Sequence, residues 1–196
     1  MSAPAWARNR LWLIRHAPIA GPHGVIHDWD APADTSDAPA LAALRARLPP
    51  EAAVFASPSL RTLATAAALG LQPQPEPNFR EQDFGDWTGR RHDDLAGEPG
   101  AAYGDFWRAP ATARPPGGES FAEQIGRVRA GLDALPPGDA VLVVHSGTIR
   151  AALSIALQIA PEPALRFAID PLSLTRIDRL SNGWRVVCVN VLSSGL

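Results

Sequence analysis

Two apolar runs with no polar break, Leu11-Trp12-Leu13-Ile14 and Val141-Leu142-Val143-Val144, constrain this chain more than any other feature. A strand with one wet face alternates apolar and polar residues. A run without alternation is buried on both faces, which requires a sheet covered by helices on both sides. Both runs end on chemistry-bearing side chains, Arg15-His16 after the first and His145 after the second. Such groups finish a core poorly. They present a ligand site well, because ligands of open α/β sheets bind beyond the carboxyl ends of the strands.

The remaining elements fit the same plan. Leu41, Leu44 and Leu48 mark a helix that Pro49-Pro50 ends. Residues 53–56 read as a short strand, and Ser57-Pro58 opens a helix through Leu69 that Gly70 stops. Residues 71–79 read as extended. Ser120 and Glu123 form a capping box ahead of the stripe Phe121, Ile125, Val128, Leu132 and Leu135. A helix is predicted from Thr148 to Ile159, and strands at 172–179 and 184–191 flank Ser181-Asn182-Gly183, a hairpin signal. Residues 16–37 and 80–118 are long irregular segments of the kind that carry function. Strands alternating with helices predict an α/β fold: three layers, α/β/α, around a mostly parallel central sheet. With no repeat and no linker, residues 1–196 are expected to form one domain, with 80–118 as an excursion over the site.

Composition excludes several classes. Of 196 residues, 46% are hydrophobic, enough for a full core. Twenty acidic and eighteen basic residues leave a net charge of −2, so neither nucleic acid nor an anionic membrane is an expected partner. No apolar stretch reaches membrane-spanning length and the N-terminus has no signal-peptide core, so a cytoplasmic location is expected. The lone Cys188 allows no internal disulfide and reads as a core residue. Oligomeric state has no signature in the chain.

If the strands are parallel neighbours, Arg15-His16, the segment Ser57–Arg61 and His145 meet at one edge. Arg61 falls in the first turn of its helix and His145 just before another. Helix N-termini supply free N–H groups and positive potential, both suited to phosphate. Four elements in order, LIRHA at 13–17, SPSLRTLATA at 57–66, REQDFGDWTG at 80–89 and VVHSGTIRAAL at 143–153, supported by PPGGES at 115–120, resemble the histidine phosphatase superfamily in its phosphoglycerate mutase-like branch.

The resemblance implies a phosphoglycerate mutase-like fold and a phosphatase reaction without metal or other cofactor. His16 matches the nucleophile that becomes phosphohistidine. Arg15, Arg61 and His145 match the groups that hold the phosphate oxygens, with Ser146 a further candidate. Glu81 matches the proton donor, with Asp83 and Asp86 as alternatives nearby. Arginine donates two parallel hydrogen bonds to phosphate and neutralises charge on the transferring group. The expected ligands are a small phosphorylated metabolite and inorganic phosphate.

Other readings stand beside these. Ser57 either caps the following helix or touches phosphate, and Arg150 reads as a structural ion pair. His23, His27, Asp28 and Asp30 could hold a metal, but Gly21-Pro22 and Gly24 disfavour the helix that their spacing would need. Trp29, Trp87, Phe106 and Trp107 either line a pocket for a flat ring or pack the excursion. The chain departs from the family pattern at Ala17 and Ser146, where glycine is usual, and at Pro22, where a phosphate-binding Asn is common. The short interval between Glu81 and His145, and PHGVIHDWDAPAD at 22–34, resemble the small phosphatases, including the α-ribazole phosphatase group of cobalamin biosynthesis. A phosphoglycerate mutase and a non-catalytic phospho-ligand binder remain the alternatives.

Overall fold

The computed structural model of the chain describes residues 7–100 and 102–192. The ends of the predicted 1–196 domain, and with them the N-terminal reading, lie outside the described residues. One sheet contains β1 (Ala7–Arg15), β2 (Ala53–Ala56), β3 (Gln74–Pro75), β4 (Gly138–Val144), β5 (Leu174–Leu180) and β6 (Gly183–Val191), in the order β3-β2-β4-β1-β5-β6. The first four strands are mutually parallel, whereas β5 runs antiparallel to both β1 and β6. The helices are α1 (Ala38–Arg45), α2 (Leu60–Ala68), α3 (His92–Gly97), α4 (Ala102–Arg108), α5 (Phe121–Ala134), α6 (Ser146–Leu157) and α7 (Pro161–Ala164).

The predicted three-layer architecture is what the two apolar runs build. Leu11, Leu13, Leu142 and Val144 pack with Phe121, Val128 and Leu132 of α5 and Ile149 and Leu153 of α6. On the opposite face Trp12, Ile14, Val141 and Val143 pack with Leu41 and Leu44 of α1 and Ala66 of α2. Each such aliphatic side chain contributes about 1.5–3 kcal/mol when fully buried. That anchorage lets the same two strands carry polar groups at their tips. Among the described residues no helix is long and apolar enough to cross a membrane.

Local differences from the sequence reading have physical causes. Helix α1 ends at Arg45, and Leu48 reaches the core from the turn beyond it. Helix α2 starts at Leu60 with Ser59, not Ser57, at its N-cap, because the Ser57 hydroxyl is engaged by His145 at 2.9 Å. The segment 71–79 is only briefly extended. Glu76 accepts from the Asn78 N–H at 2.9 Å and turns residues 77–79 into a 3-10 helix that delivers Phe79 to the core.

The excursion has a small core of its own, built from Ile26, Trp87, Leu95 and Phe106 with Phe84 and Tyr103 against them. Trp87 and Phe106 are therefore packing residues, and they stack edge to face at 5.3 Å. This unit is pinned by a backbone crossing in which Glu119 N–H donates to Asp83 O at 2.9 Å and Asp86 N–H donates to Pro116 O at 2.8 Å. Only glycine fits there: a Cβ on Gly118 would overlap the Asp83 carbonyl, and one on Gly85 would overlap Pro116 and Gly117. Replacing Gly118 with Ala should therefore cost about 1–3 kcal/mol of stability. Chemical denaturation checks this, and an unchanged midpoint would show that the crossing can open freely.

Candidate active site

A cavity of about 680 Å³ opens at the carboxyl ends of β1 and β4, with Arg15, His16, Arg61, Glu81 and Ser146 in its lining. The β1–β4 register sets Arg15 beside Val144, so the next residue of each strand is a histidine. The His16 and His145 rings lie 5.2 Å apart, edge to face.

The environment of His16 fixes its chemistry. Its Nδ1 is 2.7 Å from the Ala17 carbonyl oxygen. A carbonyl can only accept, so Nδ1 carries the hydrogen and the neutral ring keeps its lone pair on Nε2. Burial is the main cause that holds the His16 pKa well below the ordinary histidine value. The adjacent His145 comes next; the Ala17 bond opposes, and Arg61 and Arg15 add to the lowering. Ala17, where glycine was expected, is fully buried and blocks nothing. Its N–H donates to Thr65 Oγ1 at 2.9 Å, which ties the loop after His16 to α2.

Arg15 and Arg61 are held from behind by carbonyls. Arg15 Nη1 donates to Ile169 O at 2.6 Å and Arg61 Nη1 to Asp28 O at 2.7 Å. In both, the buried Nε has no partner among the described residues. Neither guanidinium is in an ion pair within 4.0 Å among the described residues. Burial lowers both pKa values, against the pull of the Glu81 charge. Two largely buried cations with spare N–H groups on one cavity wall form an anion cradle.

His145 stands behind His16. It is fully buried, its Nε2 engages Ser57 Oγ at 2.9 Å, and its Nδ1 has no partner among the described residues. Burial, then the charges of Arg61, Arg127 and Arg15, hold its pKa well below the ordinary histidine value.

Glu81 sits across the N-terminus of α6. Its Oε2 faces Gly147 N–H at 3.3 Å and Ser146 Oγ at 3.4 Å; its Oε1 faces Gln124 Nε2 at 3.2 Å. Arg127 fixes the backbone beneath it, donating to Asn78 O at 2.9 Å, Arg80 O at 2.8 Å and Glu81 O at 2.9 Å while paired with Glu119. Asp83 lines the cavity but accepts from Gly85 N–H at 2.8 Å, and Asp86 is outside the lining. Sequence reading missed Gln124, Arg127 and Thr65. Gln124 had a signal: it interrupts the buried stripe of α5 at a fully buried position.

Other expected residues fall elsewhere. Ser57 neither caps α2 nor lines the cavity, whereas Ser59 does line it. Among the described residues Arg150 is in no ion pair within 4.0 Å; it donates to Phe167 O at 2.9 Å. Among the described residues, His23, His27, Asp28 and Asp30 do not gather into a metal-binding group. Of the four aromatic candidates only Trp29 lines the cavity, 60% exposed, while Trp107 lies outside the lining. The loop bearing Trp29 is latched to α2 through Leu60 N–H to Trp29 O at 3.0 Å and through the Arg61–Asp28 bond. Pro22 is exposed and away from the cavity wall.

The depressed histidines give a pH dependence of definite sign. Folded, His16 and His145 resist protonation, while the unfolded chain takes up protons below about pH 6.5. Stability is therefore full above that value and falls as the pH drops below it. NMR titration of the free protein should place the His16 midpoint below about 6.5. A midpoint at or above that value would contradict the burial argument.

A family model described as the histidine phosphatase superfamily (branch 1) matches residues 11–192. The chain is 35% identical over 140 residues to the bifunctional protein Rv2228c of Mycobacterium tuberculosis, covering 67% of this chain and 38% of that protein. It is 28% identical over 103 residues to the 2,3-bisphosphoglycerate-dependent phosphoglycerate mutase of Azorhizobium caulinodans, covering 50% of each. The chain thus spans half or less of the length of these two relatives. Among solved structures, the α-ribazole phosphatase of Shigella flexneri shares the fold, with a TM-score of 0.80 and 24% identity over 93% of this chain and 96% of that one. The protein TTHB049 of Thermus thermophilus is 29% identical with a TM-score of 0.73, covering 93% of this chain and 99% of that one. With all its helices, every strand but the first residues of β1, and both strand-end histidines inside the matched span, the chain belongs to the histidine phosphatase superfamily, branch 1.

Proposed function

We propose that this protein is a phosphomonoester hydrolase that works through a phosphohistidine at His16 and needs no metal. One observation carries the proposal: the ring of His16 is held with Nδ1–H on the Ala17 carbonyl, beside two largely buried guanidinium groups that are tethered by carbonyls and not by carboxylates. A lone pair on Nε2 and an anion cradle then share one wall.

The chemistry follows from these parts. Arg15 and Arg61 hold the phosphoryl oxygens, and His145, packed edge to face behind the His16 ring and outside the cavity lining, backs that ring. His16 Nε2 forms a bond to phosphorus as the ester P–O bond breaks. The proton on the Glu81 carboxyl passes to the departing alkoxide. In the second step water attacks phosphorus, its proton goes to the Glu81 carboxylate and the N–P bond breaks. Phosphate leaves and both residues are restored.

For the substrate we propose a small phosphorylated metabolite, with α-ribazole 5'-phosphate of cobalamin biosynthesis as the first candidate. The support is Trp29 at the mouth of the cavity, a flat apolar surface fixed to the phosphate cradle through Asp28 and Leu60. The likeness of fold to the S. flexneri enzyme agrees with it. A phosphate-release screen over a metabolite panel that includes this compound tests the choice, with His16→Ala as control. Turnover should survive a chelator. Dependence on a bisphosphate primer, with phosphate returned to product and not to water, would instead identify a mutase, the activity named for the A. caulinodans relative.

The proton-donor assignment has a separate test. Glu81→Gln should slow kcat/KM for an alkyl phosphate by about 100- to 10,000-fold, but change it little for p-nitrophenyl phosphate, whose leaving group needs no proton. Equal losses on both esters would remove Glu81 from that role.

A further inference from the structure

We propose that Gln124 is a positioning residue that holds the Glu81 carboxyl in both of its protonation states, by rotation of its side-chain amide. The inference rests on the reading of Glu81 as acid in one step and base in the next.

Gln124 is fully buried in α5, at a position where the helix otherwise turns apolar side chains to the core. Its Nε2 lies 3.2 Å from Glu81 Oε1 and 3.3 Å from Arg80 O, whereas its Oε1 has no partner among the described residues. In this orientation the amide donates to an ionised carboxylate. A protonated carboxyl offers an O–H instead, which an N–H cannot accept. Rotating the amide by half a turn brings Oε1 to the same place, where it accepts that hydrogen. The rotation leaves Arg80 O satisfied, because that carbonyl also accepts from Arg127 Nη1 at 2.8 Å and Thr148 Oγ1 at 3.2 Å.

The other neighbours of the carboxyl are less adaptable. Gly147 N–H and Gln82 N–H can only donate; the Ser146 hydroxyl can donate or accept, but it lies on the other carboxyl oxygen, Oε2, at 3.4 Å. The charges of Arg15, Arg61 and Arg150 all interact favourably with ionised Glu81. On Oε1, Gln124 is therefore the hydrogen-bonding side chain that suits both forms. Gly147 keeps the pair together: a Cβ there would overlap Glu81 Oε1 and lie 2.9 Å from Gln124 Oε1.

The test is Gln124→Met, which keeps the length and removes both hydrogen-bonding functions. On an alkyl phosphate, kcat/KM should fall by about tenfold, since a misplaced acid fails in the first step. On p-nitrophenyl phosphate, kcat/KM should hold within about twofold while kcat falls and phosphohistidine accumulates, since only the later water attack then needs Glu81. A loss on one ester without the other effect would leave Gln124 serving one protonation state and overturn the proposal. So would an equal fall in kcat/KM on both esters, the mark of a structural role. Glu81→Gln, run in parallel, separates the failures: if it shows no ester selectivity, the underlying reading of Glu81 is wrong, whatever Gln124→Met does. Should Gln124→Met not fold, Gln124→Leu repeats the two-ester comparison, with the same expected and overturning results.

Discussion

The parallel pairing of β1 with β4 is the constraint on which everything else in this molecule depends. Because Arg15 is opposite Val144, the two strands end together, and the residues that follow, His16 and His145, meet edge to face. A slip of one residue would turn every core side chain of β1 to the other layer. The register is therefore defended by the entire hydrophobic core, on both faces of the sheet. The site inherits its precision from that core, and its loops need only close around it.

The price of ending two buried strands on polar groups is met by local hydrogen bonding. His16 donates to Ala17 O, Arg15 to Ile169 O, Arg61 to Asp28 O, and His145 shares a bond with Ser57. Each bond satisfies part of its group and aims the rest. Burial keeps both imidazoles neutral, which an attacking nitrogen requires, and leaves two guanidinium groups whose remaining donors suit an oxyanion. Across the cavity the order is reversed. Glu81 sits on an irregular segment, so its place is set by Arg127 on its own carbonyl and those of Arg80 and Asn78 before it, by the N-terminus of α6 and by Gln124.

How much of this could be read from the sequence follows from the range of the interactions involved. The strands β2, β4, β5 and β6, the capping box at Ser120 and the hairpin at residues 181–182 rest on local pattern, and they appear within three residues of where that pattern put them. The cluster of Arg15, His16, Arg61 and His145 was legible because strand ends of a parallel sheet must converge. The cap of α2 was misread because Ser57 answers to His145, 88 residues away, and not to its own helix. The aromatic residues could not be sorted without knowing that Trp87 and Phe106 close a separate small core while Trp29 faces the cavity. Gln124 and Arg127 act through contacts 43 to 49 residues distant in the chain, which no local signal encodes beyond a polar residue on an apolar stripe.

The central claim is that His16 carries the phosphoryl group. Rapid quenching of the protein during turnover of p-nitrophenyl phosphate, followed by peptide mapping under alkaline conditions, tests it directly. The account predicts an acid-labile, alkali-stable phosphate on His16, absent from His16→Ala. Phosphate on His145 or on Ser57, or turnover that persists in His16→Ala at the normal rate, would contradict it.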